Sequence, residues 1–226
     1  MANLLLKKSY LRKNLKEANF KDLWGSHGVF TTMWVFGKPA KILFFKKHIK
    51  NLIRSIKIYK INRKNIEKNI LKIIKFNLKN NKKYNHLLRI AVNNKIISFS
   101  LRKRLKTKSK FKVKLINYKR TEPEFKNLKY KKILKQLSKI NTSSSDIVLC
   151  VNKKILESAT SNILFIKENK IFSPIKNFYK GITLNFFEKS LGTIAKENIF
   201  IKTLNKYDEI ILVGSCKGVV SVESIK

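Results

Sequence analysis

The stretch ESATSNILFI, residues 157–166, begins with an acidic residue, continues with five small or polar residues and ends in an apolar run. The run is built from residue types that favour β-strands. Upstream lies IVLCV, residues 147–151, and an unbroken apolar run of this length is typical of a strand buried on both faces. Glu157 is one of only 13 acidic residues in a chain of 226. The pattern therefore predicts that Glu157 lies beside a turn between two strands. Because acidic residues are rare in this chain, a carboxylate at this position suggests a chemical role.

The rest of the C-terminal half alternates strands with helices. FKVKLINYKR, residues 111–120, favours a strand, and residues 125–140 have the apolar spacing of a helix. KIFSP, residues 170–174, is expected to pair with the strand that follows Glu157. The remaining elements are a helix at residues 181–197 and strands at residues 209–215 and 219–225. This order predicts an α/β (α+β) fold.

The N-terminal half has a similar mixture. Residues 28–45 alternate apolar and polar positions around a Gly-Lys-Pro turn, which predicts a β-hairpin. Two amphipathic helices are expected at residues 46–61 and 62–81, the second capped by Asn62 or Asn65. Further strands are expected at residues 86–94 and 95–105, and residues 3–22 form either a weak helix or a degenerate leading segment.

A highly charged tract, RLKTKSKFK at residues 104–112, separates the two halves. It contains neither glycine nor proline and suits a solvated strand end or a linker. We place the domain boundary there, which predicts a smaller N-terminal α/β domain of residues 1–105 and a larger domain of residues 106–226.

The net charge of +39 would suit a nucleic acid or an anionic membrane as partner. The lysines are scattered from end to end, however, and they accompany a surplus of Ile, Asn and Phe, as in the proteins of a low-GC genome. We therefore expect no specific nucleic-acid partner. No apolar run approaches the about 18 to 20 residues that a membrane helix needs, so no membrane partner is expected either.

The sequence predicts no metal site. Cys150 and Cys216 are the two cysteines, and neither has a second cysteine or a histidine at metal-ligand spacing. The N-terminal apolar segment is too short for a secretory signal, so a cytoplasmic location is expected.

Two turns of the C-terminal half are candidates for binding an anion. The start of a helix at Gly181-Ile182-Thr183 offers unpaired backbone N–H groups, and LVGSCKG, residues 212–218, places a second turn after a strand. Two such turns together would form a cup for a phosphate group. The alternative is two ordinary tight turns, because a glycine before a helix is common.

In combination these motifs resemble the class IV pyridoxal-phosphate (PLP) enzymes, which are branched-chain and D-amino-acid aminotransferases and 4-amino-4-deoxychorismate lyase. The resemblance rests on residues 157–165, 171–174 and 181–183, on the opening hairpin and helix at residues 28–57, and on the closing strand and turn at residues 209–222. It implies a shortened two-domain D-amino-acid aminotransferase-like fold, with PLP at the domain interface. It also implies a small-molecule substrate and a homodimer.

The resemblance gives Glu157 a chemical role. It implies that Glu157 keeps the pyridine nitrogen of PLP protonated, so that the ring can accept electrons. The lysine that bonds to the cofactor would be Lys126, about thirty residues earlier in the run FKNLKY, with Lys129 as its rival. Lys126 would also remove the substrate proton. The other implied cofactor-binding residues are Tyr130, Ser161, Asn162, Ile182, Thr183, Ser215 and Cys216.

The sequence departs from the family pattern at the phosphate. The arginine expected three residues after His48 is replaced by Asn51, so Arg54 or Lys50 would have to take over. Leu184 stands where a basic residue is usual after Gly-Ile-Thr. The chain is also shorter than the family norm.

The stretch Phe30-Thr31-Thr32 distinguishes members of the family. The aminotransferases usually have glutamate after the phenylalanine, whereas Phe-Thr-Thr resembles the lyase, which makes Phe30 and Thr32 candidate substrate contacts. The first expectation is therefore a lyase that forms 4-aminobenzoate and pyruvate. The alternatives are a class IV aminotransferase and a reduced family member that serves as a basic binding protein.

Overall fold

The computed structural model describes residues 4–226 and contains two β-sheets. The chain divides into two compact units. The first unit extends to Leu105 and also contains Phe125–Lys131, and the second consists of Lys106–Glu124 and Lys132–Lys226. This division differs from the predicted domains in one short segment, which carries Lys126.

The first unit is built on a six-stranded antiparallel sheet with the order β2-β1-β6-β5-β3-β4. Its elements are β1 (Leu4–Leu11), β2 (Glu17–Ala18), β3 (Gly28–Gly37), β4 (Lys41–Ile42), α1 (Phe45–Ile58), α2 (Ile66–Asn77), β5 (Tyr84–Asn93) and β6 (Ile96–Lys103). The predicted hairpin, the two helices and the two strands after them are confirmed.

Alternate residues of β3 point to opposite faces of the sheet. One set is buried with the apolar stripe of α1, in a core that contains Val29, Met33, Val35, Ile49, Leu52 and Ile56. Thr31 points to the same face, and Phe30 and Thr32 point to the other. The hairpin therefore divides the Phe-Thr-Thr stretch between the two sides of the sheet.

Residues 125–131 run alongside β3. The backbone N–H of Phe30 donates to the carbonyl of Lys126 at 2.9 Å, and an antiparallel bridge joins Val29 to Asn127. These hydrogen bonds hold the segment extended and place Lys126 in the first unit.

The second unit is built on an eight-stranded mixed sheet with the order β12-β11-β10-β13-β14-β7-β8-β9. Its strands are β7 (Lys110–Asn117), β8 (Ser145–Val151), β9 (Lys154–Ser158), β10 (Asn162–Lys167), β11 (Lys170–Pro174), β12 (Ala195–Glu197), β13 (Glu209–Gly214) and β14 (Gly218–Ile225). Strand β7 is parallel to both of its neighbours. Phe111 and Phe165 are fully buried in the core on this sheet.

Two predicted helices are shorter than expected. The helix predicted at residues 125–140 is α3 (Lys131–Leu137), because the residues before it pair with β3. The helix predicted at residues 181–197 is α4 (Ile182–Leu191). It stops at Gly192, whose φ of +87° is a backbone conformation that residues with a Cβ rarely adopt. Residues Ala195–Glu197 then form a strand parallel to β11.

The leading segment contains a strand where a weak helix or a degenerate segment was expected. Residue 3 lies outside the described residues, and Leu4–Leu11 pairs with β6 and β2. Pairing with a distant strand supplies the backbone hydrogen bonds here, and local periodicity does not reveal it.

Two further findings concern residues 4–226. No helix in this range is long and apolar enough to cross a membrane. The same residues contain no group of three or more His, Cys, Asp or Glu side chains placed to hold a metal ion.

Candidate active site

Glu157 lies near the end of β9 and is only 4% exposed. The guanidinium of Arg120 binds both of its oxygens: Nε donates to Oε1 at 2.6 Å and a terminal nitrogen donates to Oε2 at 2.9 Å. The backbone N–H of Tyr179 also donates to Oε2, at 3.2 Å. A bidentate contact between a guanidinium and a carboxylate is a strong, charge-assisted form of hydrogen bonding. It stabilises Glu157 as an anion in spite of its burial.

Arg120 was missed by the sequence analysis. It lies 37 residues before Glu157, and it also donates to the carbonyl of Pro123 at 2.5 Å. In a chain with 52 lysines and arginines, one arginine gives no local signal. The only hint is indirect, since a buried carboxylate needs a cationic or hydrogen-bonding partner.

The loop after Glu157 is fixed by side-chain hydrogen bonds. Asn162 donates to the carbonyl of Tyr179 at 2.6 Å and accepts from the N–H of Gly181 at 3.0 Å. A Cβ at Gly181 would lie 2.6 Å from the Asn162 oxygen, so only glycine fits there without a shift. Ser161 joins Ser158 through their hydroxyls, at 3.0 Å. The loop is thereby tied to the residues that lead into α4.

The two predicted anion-binding turns meet in the second unit. Ile182 is the first residue of α4, and the hydroxyl of Thr183 lies 3.1 Å from that of Ser215. Ser215 and Cys216 occupy the turn between β13 and β14. Two hydroxyls and a helix N-terminus lie side by side here, which is an arrangement of donors suited to an anion.

Lys126 is placed on the first unit by its backbone contact with Phe30. Its Nζ lies 5.5 Å from the centre of the Phe30 ring, and its side chain is half-buried. Lys129, the rival lysine, is exposed. Lys126 is therefore the less exposed of the two candidate lysines.

Thr31 and His48 form a buried pair on the helical side of β3. The Thr31 hydroxyl and Nδ1 of His48 are 2.8 Å apart, and His48 is 3% exposed. Burial, and secondarily the charge of Lys126, lowers the pKa of His48 to about 3. His48 is therefore neutral at physiological pH.

Acidification should destabilise the protein through His48. Its ordinary pKa of 6.5 is lowered to about 3 by folding, so between these values the unfolded chain binds a proton that the folded chain does not. The free energy of unfolding should fall with decreasing pH across this window, by up to about 1.4 kcal/mol per pH unit. Urea unfolding at pH 7 and pH 4.5 should show a shallower dependence for His48→Gln than for the parent. The exposed His27→Gln variant is the control, and identical pH dependence in all three proteins would contradict this prediction.

An aromatic cluster surrounds the other side of β3. Trp24 lies 4.9 Å from Phe30 and 5.8 Å from Tyr130, measured between ring centroids. The guanidinium of Arg89 lies 4.4 Å from the centre of the Trp24 ring, and burial lowers its pKa to about 10. Arg89 is opposite Thr32 in the β3–β5 pairing. The cluster therefore combines two predicted site residues, Phe30 and Tyr130, with an arginine that the sequence analysis did not select.

Arg54, the arginine predicted to bind the phosphate, lies on α1 in the first unit. It lies on the exposed side of α1, whereas Asn51 is half-buried. Leu184 is 1% exposed and packs in the apolar core beneath α4.

The sequence matches the family described as amino-transferase class IV over residues 28–225. A search of curated proteins found no significant match. Solved structures with a similar fold include a branched-chain aminotransferase from Thermoproteus uzoniensis with norvaline, at 16% identity and a TM-score of 0.75, covering 97% of this chain and 87% of that one.

Two further solved structures have a similar fold. A candidate 4-amino-4-deoxychorismate lyase from Legionella pneumophila has 19% identity and a TM-score of 0.70, covering 88% of this chain and 83% of that one. An aminotransferase from Brucella abortus bound to PLP has 14% identity and a TM-score of 0.73, covering 99% of this chain and 91% of that one. The chain therefore belongs to the class IV aminotransferase family of PLP-dependent enzymes.

Proposed function

We propose that this protein is the lyase of the family, which converts 4-amino-4-deoxychorismate to 4-aminobenzoate and pyruvate in folate biosynthesis. The observation that carries the proposal is the position of Thr31. Where the aminotransferases usually have glutamate, this chain has a buried hydroxyl bound to Nδ1 of His48 at 2.8 Å. The similarity to the candidate lyase of Legionella pneumophila supports the same choice.

The second candidate is an aminotransferase that acts on branched-chain or D-amino acids. It is favoured by the similarity to branched-chain aminotransferases from Thermoproteus uzoniensis and Escherichia coli. Both reactions would use the same cofactor, lysine and glutamate. They differ in their products, because the lyase releases pyruvate whereas the aminotransferase passes an amino group to a second substrate.

The residues of the second unit fit PLP. The first N–H groups of α4 have no acceptors within the helix, and the hydroxyls of Thr183 and Ser215 lie beside them, 3.1 Å apart. We propose that Ile182, Thr183, Ser215 and Cys216 hold the phosphate group. Ser161 and Asn162 would support this site from the preceding loop, and the buried carboxylate of Glu157 would accept a hydrogen bond from the protonated pyridine nitrogen.

When bound, PLP draws electrons from the substrate carbon that bears the amino group. Glu157 would hold a proton on the pyridine nitrogen, and Arg120 would keep Glu157 charged and correctly oriented. Lys126 would hold the cofactor through a covalent bond. Lys126 would then remove the proton from the carbon that bears nitrogen, so one lysine acts as nucleophile and as base. Tyr130 lies in the same segment and would line the site.

The phosphate would be held mainly by neutral donors. Asn51 and Leu184 replace the two basic residues of the family pattern, and Arg54 lies on the exposed side of α1. Backbone N–H groups and hydroxyls can bind a phosphate without a cation, as they do at helix N-termini. We therefore propose that Ile182, Thr183 and Ser215 contribute more to phosphate binding than Arg54 does.

Arg89 is a candidate for binding a substrate carboxylate. Its guanidinium is partly buried against Trp24, which contacts Phe30, and Lys126 lies beside the same Phe30 ring. A guanidinium matches a carboxylate with two parallel hydrogen bonds. Phe30 and Thr32 would line the substrate site on the same face of the sheet.

Product analysis tests the choice between the two reactions. The PLP-loaded protein should release 4-aminobenzoate and pyruvate in equal amounts from 4-amino-4-deoxychorismate, and should transfer no amino group from branched-chain or D-amino acids to 2-oxoglutarate. Amino transfer without release of 4-aminobenzoate would establish the second candidate. A protein that retains no PLP after the unbound cofactor is removed would contradict both.

Lys126 should be the residue that bonds to the cofactor, because it is half-buried beside Phe30 whereas Lys129 is exposed. Borohydride reduction of the PLP-loaded protein, followed by peptide mapping, should place the label on Lys126. Lys126→Ala should abolish labelling, and Lys129→Ala, the matched control, should retain it. A label on Lys129 would show that the reactive lysine lies three positions further along the chain than proposed.

Exposed lysines occur in both units, for example Lys46 and Lys68 in the first and Lys135 and Lys189 in the second. This distribution suits a compositional origin of the charge better than one basic binding face. The basic binding protein therefore remains the least supported alternative. A homodimer is proposed from the family resemblance alone.

A further inference from the structure

A buried ionic cluster is centred on Asp146 and Lys217, two charged residues that were given no role from the sequence. Asp146, at the start of β8, is 1% exposed. Its Oδ2 accepts hydrogen bonds from the hydroxyls of Ser158 at 2.5 Å, Thr160 at 2.7 Å and Ser161 at 3.2 Å. Nζ of Lys217 donates to the same oxygen at 2.5 Å. One carboxylate thus binds four side chains from two different loops.

Lys217 is the cation of this cluster, and it is 9% exposed. Its Nζ also donates to the Thr160 hydroxyl at 2.9 Å and lies 4.7 Å from the centre of the Phe111 ring. Lys217 directly follows Cys216 in the turn between β13 and β14. Its side chain therefore connects this turn to the interior of the second unit.

The cluster joins the two loops that carry proposed cofactor contacts. We call residues 158–161 the serine loop and residues 214–218 the phosphate turn. A Cβ at Gly214 would lie 3.3 Å from the Cβ of Ser161, so the loop and the turn are in close contact. The same buried anion thus binds Ser161 in the loop and Lys217, two residues after Ser215, in the turn.

The charges of the cluster compensate one another. Burial alone would raise the pKa of Asp146, but the Lys217 ammonium and the hydroxyls of Ser158 and Thr160 hold it below its ordinary value. The negative charge of Asp146 in turn offsets the positive charge of the Lys217 ammonium, 2.5 Å away. Lys217 therefore does not supply a net charge to an anion on the phosphate turn, and its contribution must be geometric.

We infer that Asp146 and Lys217 are positioning residues, which hold the serine loop and the phosphate turn at the spacing that grips the phosphate group of PLP. The inference rests on the proposed cofactor site and extends it to two residues that do not themselves contact the cofactor. Neutral donors bind phosphate well only when they are held in fixed positions, because they cannot offset misplacement with charge. The pair would supply this rigidity where Asn51 and Leu184 have replaced cations.

Comparing PLP with pyridoxal, which lacks the phosphate, separates positioning from general stability. Absorbance titration of the cofactor-free protein gives the affinity for each compound. In Asp146→Asn, the affinity for PLP should fall by about 10-fold or more, as expected for disturbing charge-assisted hydrogen bonds. The affinity for pyridoxal should change little. A merely structural role would weaken both compounds equally.

A second variant avoids the loss of a buried charge, which can prevent folding. Thr160→Val removes the hydroxyl that bonds to Asp146 and Lys217, while it keeps the shape of an exposed side chain. It should lower the affinity for PLP several-fold and leave pyridoxal binding unchanged. Thr203→Val is the matched control, since its exposed hydroxyl bonds only locally, to the carbonyl of Phe200 at 2.9 Å.

Equal loss of PLP and pyridoxal affinity in folded Thr160→Val, or no loss of either, would overturn the inference while leaving the proposed function in place. A parent protein that binds neither compound would overturn both. Selective loss of PLP affinity in Thr160→Val, with Thr203→Val unchanged, is the expected result.

Discussion

Replacing Glu157 with glutamine should lower turnover by about 10²-fold or more, at nearly normal PLP occupancy. Glutamine keeps the size of the side chain but removes the anion that would hold the proton of the pyridine nitrogen. The proposed phosphate contacts at Ile182, Thr183 and Ser215 are untouched. Proton removal by Lys126 should therefore slow far more than cofactor binding weakens.

The measurement is turnover per folded, PLP-loaded molecule, with occupancy taken from the absorbance of bound cofactor. This normalisation is needed because Glu157→Gln also leaves the guanidinium of Arg120 without its anion. Glu168→Gln is the matched control, since Glu168 is exposed and forms a surface ion pair with Lys167 at 3.4 Å. If Glu157→Gln prevented folding and the parent showed no bound PLP, Glu157 would be a structural acid and the proposed chemistry would lose its central residue.

Replacing Arg120 with methionine should lower the free energy of unfolding by about 3–5 kcal/mol. The change removes the positive partner of a carboxylate whose side chain is only 5% exposed, so Glu157 would remain buried without its counter-charge. Chemical denaturation at neutral pH measures the effect. The double variant Arg120→Met with Glu157→Leu should recover most of the lost stability, because it removes both charges together.

Lys8→Met provides the surface comparison. Lys8 forms an ion pair with Glu17 at 2.7 Å, but both side chains are partly exposed, so its loss should cost about 1 kcal/mol or less. An Arg120→Met variant no less stable than Lys8→Met would show that the buried pair does not stabilise the fold. It would also weaken the argument that Arg120 keeps Glu157 charged.

Elements with a clear period were predictable from the sequence. The apolar spacing of Ile49, Leu52 and Ile56 predicted α1, and the alternation in residues 28–37 predicted β3, because one face of each is buried against the other. Leu4–Leu11 and residues 125–130 were mispredicted for a shared reason. Each obtains its backbone hydrogen bonds from a strand that is distant in sequence. The local composition of a segment does not reveal such a partner.

The candidate site shows the same division. The contact between Thr183 and Ser215 could be expected, since both turns carried glycine and hydroxyl residues at the ends of predicted elements. Arg120 and Asp146 could not, because their significance lies in burial and in partners that folding brings close. A buried charge is recognisable only when its surroundings are known.

The short segment beside β3 has a consequence for how this protein can be divided. Because Phe125–Lys131 belongs to the first unit and is flanked on both sides by the second, neither unit is an unbroken piece of the chain. A fragment ending at residue 105 would leave the backbone N–H of Phe30 without the carbonyl of Lys126. The two halves of the chain are therefore not exchangeable modules. Recombination between relatives at residues 104–112 would take the proposed reactive lysine, Lys126, from one parent and β3, the strand it pairs beside, from the other.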